Sequence, residues 1–148
     1  VKWTVLRTII VFGVAEKLSK GNIVLWAKSA LEKGDPLNII DDQFRAPTLA
    51  EDLADICILA AKKKALGVFN ASGKDIMSIY EIVERIAKHY GNSTEHLNKI
   101  STASLNQMAV RPPKTGFILD KSRKELGYNP HSFEESLFII DEQLKTID

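Results

Sequence analysis

Apolar positions along the chain follow two different spacings, and the switches between them divide the sequence into elements. The run Thr4-Val5-Leu6-Arg7-Thr8-Ile9-Ile10-Val11-Phe12-Gly13 is dense in β-branched side chains and nearly continuous in apolar ones. That is the pattern of a strand buried on both faces in a parallel sheet. After a polar loop over 15–21, Ile23, Val24, Ala27, Ala30 and Leu31 recur at the spacing of one helical face, and Trp26 joins them. A helix from Asn22 to Lys33 is predicted, stopped by Gly34-Asp35-Pro36. Leu37 to Ile40 reads as a short strand. A helix from Leu49 to Lys63, apolar at Leu49, Leu53, Ile56, Cys57 and Ala60, follows it, and Gly67 to Asn70 is a second short strand entering a glycine turn.

Between the strand ending at Ile40 and the helix at Leu49 lies a loop rich in charge, 41–52. Pro47 bars Ala46 from helical geometry, so the loop must turn before the helix begins, and Thr48 with Glu51 reads as a capping box. A second box, Ser78 with Glu81, opens a helix whose Ile79, Ile82, Val83, Ile86, Ala87 and Tyr90 share one face, closed by Gly91-Asn92. The segment from Lys99 to Gly116 is the least regular, and Arg111-Pro112-Pro113 within it must be extended. A short helix is expected with Asp120 as its N-cap and Gly127 past its end. The last helix starts at a box of Ser132 and Glu135 and buries the stripe Phe133, Leu137, Ile140, Leu144 and Ile147.

A strand as apolar as Thr4 to Gly13 needs neighbours on both sides, yet only two further strand candidates are visible, both short. The reading is a mixed α/β chain with few short strands and a large helical part, one fragment of 148 residues cut from a larger sheet. An unpaired apolar edge of this kind also predicts self-association, and so a homo-oligomer.

Composition changes the picture by exclusion. With 45% hydrophobic residues, 26% charged ones and a net charge of +1, neither a nucleic-acid nor a membrane partner is indicated. The longest apolar run, Ile9 to Val14, is far too short to span a bilayer, and no signal-peptide pattern is present. Cys57 is the single cysteine; its place in an apolar pattern predicts a buried core residue, and the absence of a disulfide framework predicts a reducing cytoplasm. The closest glycines, Gly67 and Gly73, rule out a Gly-x-Gly-x-x-Gly or Walker loop. His89, His96 and His131 have no partners at metal-ligand spacing, so no metal is expected and local hydrogen bonding is. No Gly-x-Ser-x-Gly elbow occurs, and none of Tyr80, Tyr90 and Tyr128 has a lysine four residues on.

What remains is a pair of arginines in stiff loops, Arg45 before Pro47 and Arg111 before Pro112-Pro113. Guanidinium suits bidentate contact with phosphate, and a proline-stiffened backbone reduces the entropy lost in holding it. The pair reads either as two arms of an anion site, with Lys114 nearby, or as surface charges on loops.

In chain order, Leu6-Arg7-Thr8 with Phe12-Gly13, Asp42-Gln43-Phe44-Arg45-Ala46-Pro47-Thr48 with Glu51-Asp52-Leu53-Ala54, Gly67-Val68-Phe69-Asn70 with Ser72-Gly73, and Arg111-Pro112-Pro113 with Leu119-Asp120 and Glu125-Leu126-Gly127-Tyr128-Asn129-Pro130 resemble the C-terminal half of extended short-chain dehydrogenases/reductases. Within them the chain is most similar to the dTDP-4-dehydrorhamnose reductase-like branch. The resemblance implies a partial Rossmann-like fold: 1–14 and 49–73 as residual sheet elements, 15–48 and 74–148 as the substrate-binding part. It implies a parent enzyme that uses NAD or NADP to reduce or epimerise the sugar of a nucleotide-sugar. In that family the N-terminal half supplies the glycine-rich loop and a Tyr-x-x-x-Lys pair. The missing Rossmann half would therefore be this chain's partner, and the chain alone would hold no catalytic residue, bind no cofactor and be inactive. By position, Thr8, Ile10 and Phe12 would border the nicotinamide, Asn22 and Gln43 would approach the nucleotide-sugar, and Arg45 and Arg111 its diphosphate. The same branch resembles the regulatory partner of methionine adenosyltransferase, so a non-catalytic subunit is the alternative. The chain departs from the rhamnose-pathway pattern in having Arg7-Thr8-Ile9-Ile10 in place of Arg-Thr-Ser-Trp, and Arg45 where glycine is usual.

Overall fold

The computed structural model describes residues 1–15, 21–105 and 111–147. In chain order the strands are β1 (Thr4–Arg7), β2 (Val11–Phe12), β3 (Leu37–Ile40), β4 (Phe44–Arg45), β5 (Thr48–Leu49), β6 (Gly67–Asn70), β7 (Met77–Ser78) and β8 (Leu97–Ile100). The helices are α1 (Ile23–Lys33), α2 (Ala50–Lys62), α3 (Ile79–Tyr90) and α4 (Phe133–Ile147), with a π-helical turn at Ser122–Leu126 before α4.

The apolar run at the start is two strands rather than one. The break falls at Ile10, whose φ of 41° places a β-branched residue in the left-handed region, where the branched Cβ is strained. Thr48 holds the turn from outside: its N–H donates to the Ile10 carbonyl (2.9 Å) and its hydroxyl to the Ile9 carbonyl (2.7 Å). The break changes partners, because β1 pairs in parallel with β6 while β2 pairs in parallel with β5. Nor is the run buried on both faces. Val5 faces Val68 across the pair, and these are 45% and 40% exposed, whereas the neighbouring Phe69 is fully enclosed. One face of β1–β6 is therefore covered and the other open.

A strand absent from the sequence reading, β8, pairs in parallel with β3, and α3 crosses between them. Its residues Leu97-Asn98-Lys99-Ile100 are too polar to announce themselves; the pairing is what makes them a strand. The remaining pair, β4 with β7, is antiparallel.

Two clusters form the core. The larger joins Phe12, Val24, Ala27, Leu31, Leu49, the buried face of α3 and Phe133, Leu137 and Ile140 of α4; Phe12 and Phe133 meet edge to face at 5.8 Å. The smaller packs Ile56 and Ala60 of α2 with Phe69, Ala71, Leu119, Leu126 and Tyr128. Leu137 and Ile140 are completely enclosed, as the stripe on α4 predicts.

Several local expectations hold as hydrogen bonds. Ser78 and Glu81 close a reciprocal capping box on α3. Ser132 and Glu135 do the same ahead of α4, and Gly34, Gly91 and Gly127 end their helical segments in the left-handed region. His89 and His131 differ from the expectation of local bonding: their partners are carboxylates distant in the chain, Asp141 and Asp52, at 2.6 Å each.

Others do not hold. Thr48 does not cap α2: its hydroxyl serves the Ile9 carbonyl, the helix starts from Leu49 without a side-chain cap, and Glu51 accepts from Gln143 of α4 instead. Trp26 is 46% exposed, since Val24, Ala27 and Leu31 define the buried face of α1 and Trp26 lies beside it. Cys57 is exposed because Ile56 and Ala60 take the inward positions of α2. Asp120 is already helical and the turn it begins is wound as a π-helix, so it caps nothing. Among the described residues no helix is long and apolar enough to cross a membrane, and no group of His, Cys, Asp and Glu could hold a metal ion.

Candidate functional site

The loop between β3 and α2 encloses several polar side chains. Gln43, Arg45 and Thr48 are 4%, 8% and 0% exposed. β4 lies between β7 on one side and Lys114 on the other, where Phe44 and Lys114 form a parallel bridge. The Phe44 N–H donates to the Pro113 carbonyl (2.7 Å), and the Thr115 N–H donates to the Phe44 carbonyl (3.0 Å). The 41–49 loop and the double-proline loop are thereby stitched together, and they bring Arg45 beside Arg111.

The two guanidinium groups have different surroundings. Arg111 is exposed. Arg45 points inward, donating from Nη1 to the carbonyls of Phe44 (2.6 Å) and Pro113 (3.4 Å) and from Nη2 to Oε1 of Gln43 (2.7 Å). Burial, and then the neighbouring charge of Arg111, lower the Arg45 pKa from its ordinary value, although a guanidinium remains protonated at any physiological pH. All three acceptors are neutral oxygens, so this positive charge is solvated by protein dipoles rather than cancelled.

A polar relay supports the pair. Gln43 Nε2 donates to the Thr102 hydroxyl (2.9 Å), and that hydroxyl donates to Asp42 (2.5 Å), which also accepts from the Thr102 N–H. These bonds, the side-chain one first, hold the Asp42 carboxyl below its usual pKa. Next to it Asp41 accepts from the Ser78 hydroxyl (2.8 Å) and faces Lys99 Nζ (3.1 Å); Ser78 first and Lys99 second lower its pKa.

The other residues singled out in the sequence lie elsewhere. Asn22 is the N-cap of α1, its Oδ1 accepting from Val24 and Leu25 N–H and its Nδ2 donating to the Gly13 carbonyl at 2.6 Å. It borders a cleft of about 400 Å³ with Val11, Gly13 and Ala50. Thr8 is exposed and Ile10 half-buried, at the strained turn, while the Phe12 ring is 2% exposed and belongs to the core. Of the residues expected at a nicotinamide, then, Thr8 and Ile10 present side chains and Phe12 presents backbone. The sequence contains no Gly-x-Gly-x-x-Gly loop of the kind that cradles a dinucleotide pyrophosphate. Thr102 and the Pro113 carbonyl were not identified from sequence, because their partners lie about sixty residues away along the chain.

Chemically the arrangement offers an exposed guanidinium on the double-proline loop and a buried one on the adjoining 41–49 loop. It can hold an anion.

Comparison with known proteins agrees with this architecture. Rat methionine adenosyltransferase 2 subunit beta is 26% identical over 94% of this chain and 45% of its own length. The dTDP-4-dehydrorhamnose reductase of Aggregatibacter actinomycetemcomitans is 26% identical over 92% of this chain and 49% of its own. The chain thus spans about half the length of the curated relatives it matches. Among solved structures, a Clostridium acetobutylicum dTDP-4-dehydrorhamnose reductase superimposes with a TM-score of 0.83 at 22% identity, covering 96% of this chain and 49% of that one. The Bacillus anthracis dTDP-4-dehydrorhamnose reductase in complex with NADP gives 0.82 at 19% identity, covering 95% and 48%. A Bacillus cereus UDP-glucuronic acid 4-epimerase in complex with UDP-glucuronic acid and NAD gives 0.72 at 24%, covering 97% and 45%. The fold is that of the Rossmann-like extended short-chain dehydrogenases, and the Bacillus anthracis and Bacillus cereus structures were solved in complex with NADP and NAD respectively. The family described as RmlD substrate binding domain matches residues 1–145, and the chain belongs to it.

Proposed function

We propose that this chain is the substrate-binding part of an NAD(P)-dependent nucleotide-sugar reductase or epimerase, and that the anion it holds is the diphosphate of the nucleotide-sugar. The observation that carries the reading is the placement of Arg111 on a double-proline loop stitched to the loop of Arg45. The Arg111 charge is near enough to act on Arg45, and two positive charges on joined loops raise the potential where a diphosphate could sit. Family membership and the nucleotide-sugar enzymes among the structural neighbours support the same substrate class. Asn22 and Gln43 contribute by shaping the walls, since their polar atoms are engaged within the protein.

The cofactor belongs to the rest of the parent protein, and Thr8 and Ile10 meet its nicotinamide end. The partner that completes the sheet is a Rossmann half seated on the open face of β1–β6, where Val5 and Val68 are exposed. A homo-oligomer and a cytoplasmic setting accompany this reading. Titration of the protein that carries this chain with dTDP, UDP and their sugars, and separately with NADH and NADPH, tests it. Saturable binding of a nucleoside diphosphate that is weakened about ten-fold or more in R111A is expected; binding of none of these ligands would end the proposal.

A second reading is a non-catalytic regulatory subunit, favoured by the several methionine adenosyltransferase beta-subunit relatives. Turnover separates the two: a reductase oxidises NAD(P)H in the presence of a keto-sugar nucleotide, an epimerase interconverts two sugar nucleotides with no net change in NAD(P)H, and a regulatory subunit does neither.

A further inference from the structure

We infer that Arg45 is a positioning residue, holding the Arg111 loop in place for an anion rather than contacting the anion itself. The inference rests on the anion-site reading above and assigns separate roles to its two arginines.

The first argument is where the Arg45 donors go. The carbonyls that accept from Nη1, Phe44 and Pro113, are the same two that carry the bridge between the loops. The guanidinium therefore staples a junction that two backbone hydrogen bonds alone would close. At 8% exposure, with both terminal nitrogens engaged, it presents little to solvent. Arg111 is exposed and free to make the outward contact.

The second argument concerns transmission. Arg111 is separated from the anchored Pro113 carbonyl only by proline residues, and proline locks φ near −65°. Fixing Pro113 therefore constrains the Arg111 backbone far more than it would across a flexible dipeptide. Ordering this loop in advance reduces the entropy lost when an anion binds.

The third argument is that the staple is itself oriented. The Thr102 hydroxyl gives its proton to Asp42, so it can only accept from Gln43. Gln43 must then present Nε2 to Thr102 and Oε1 to Arg45. Turning the amide over would set donor against donor at Arg45. The relay from Asp42 to Arg45 thus has one consistent arrangement, and it ends on the loop of Arg111.

The test uses the protein that carries this chain, with wild type, R45M, R45K, R111A and the R45M/R111A double variant titrated with dTDP and UDP. R45M and R111A should each weaken binding about ten-fold or more, the range of a lost charge-assisted contact, and the double variant should bind no more weakly than R111A alone. Additive losses would mean that Arg45 touches the anion and would overturn the inference. R45K keeps the charge and loses the fork, and should resemble R45M; wild-type affinity in R45K would also overturn it. Hydrogen exchange at the Thr115 amide supplies a readout that needs no ligand. Faster exchange in R45M and R45K supports the staple, and unchanged exchange refutes it. If wild type binds neither nucleotide, the functional proposal fails while exchange still decides the role of Arg45. Should R45M not fold, R45K and T102V carry the same exchange measurement.

Discussion

The carbonyl oxygen of Pro47 lies so close to Gly73 that a Cβ at residue 73 would stand 1.9 Å from it. The contact presses the turn after β6 against the loop that carries Arg45, and backbone is the obstacle on the Pro47 side, so no side chain can swing away. Gly73→Ala should destabilise the protein by about 1–3 kcal/mol or more, the range of overpacked sites. Urea unfolding of the variant checks this; an unchanged midpoint would show that the two loops are not in contact.

Ser78 serves two elements at once. Its hydroxyl accepts from the Glu81 N–H (3.0 Å) at the start of α3 and donates to Asp41 (2.8 Å) at the edge of the site. Ser78→Ala should cost about 0.5–2 kcal/mol, the range for losing a helix cap, and should raise the Asp41 pKa. Ser78→Thr retains both bonds and should recover most of the stability, which chemical denaturation of the pair would show.

Acid should weaken the fold modestly through carboxylates held below their usual pKa, since these groups are reached and screened by solvent. The Glu135 carboxyl is drawn from 4.5 to about 2, first by the Ser132 N–H (2.6 Å) and then by the Ser132 hydroxyl. Asp41 and Asp42 are lowered by Ser78 and Thr102 respectively. A group whose folded pKa is depressed stabilises the fold above its unfolded pKa and loses that contribution as pH falls through the folded value. For Glu135 the window runs from pH 4.5 down to about 2. Stability should therefore be level near neutrality and fall across that window. Glu135→Gln should flatten the acid limb, and an identical pH profile in the variant would contradict the assignment.

Arg111→Ala should weaken nucleoside diphosphate binding about ten-fold or more, as loss of a charge-assisted contact does, without changing the thermal midpoint, because the side chain is exposed. The wild-type affinity should also fall with added salt, and the variant's less so. Titration calorimetry at low and high ionic strength measures both.

Short-range chemistry was legible in the residues. The boxes at Ser78 and Ser132, the glycines ending α1 and α3, the strands at 37–40 and 67–70 and the inward face of α4 at Phe133, Leu137 and Ile140 are each written within a few consecutive positions. So was the stiff turn at Pro47 ahead of α2. The same reasoning misread Thr48, Cys57 and Trp26. A hydroxyl two residues before a helix has several acceptors within reach, and an apolar residue one step round a helix from the buried stripe can face either way.

By itself, then, the order of residues determined where the long helices lie, how α1 and α3 end, and which family the chain resembles. Tertiary structure alone decided which strands pair, that Ile10 would be bent so that β1 and β2 could take different neighbours, and that Arg45 would turn inward onto Pro113. The reason is range. A cap or a periodic stripe is settled by neighbours a turn away, whereas the environment of a buried guanidinium depends on a carbonyl 68 positions distant, and no local pattern encodes that distance.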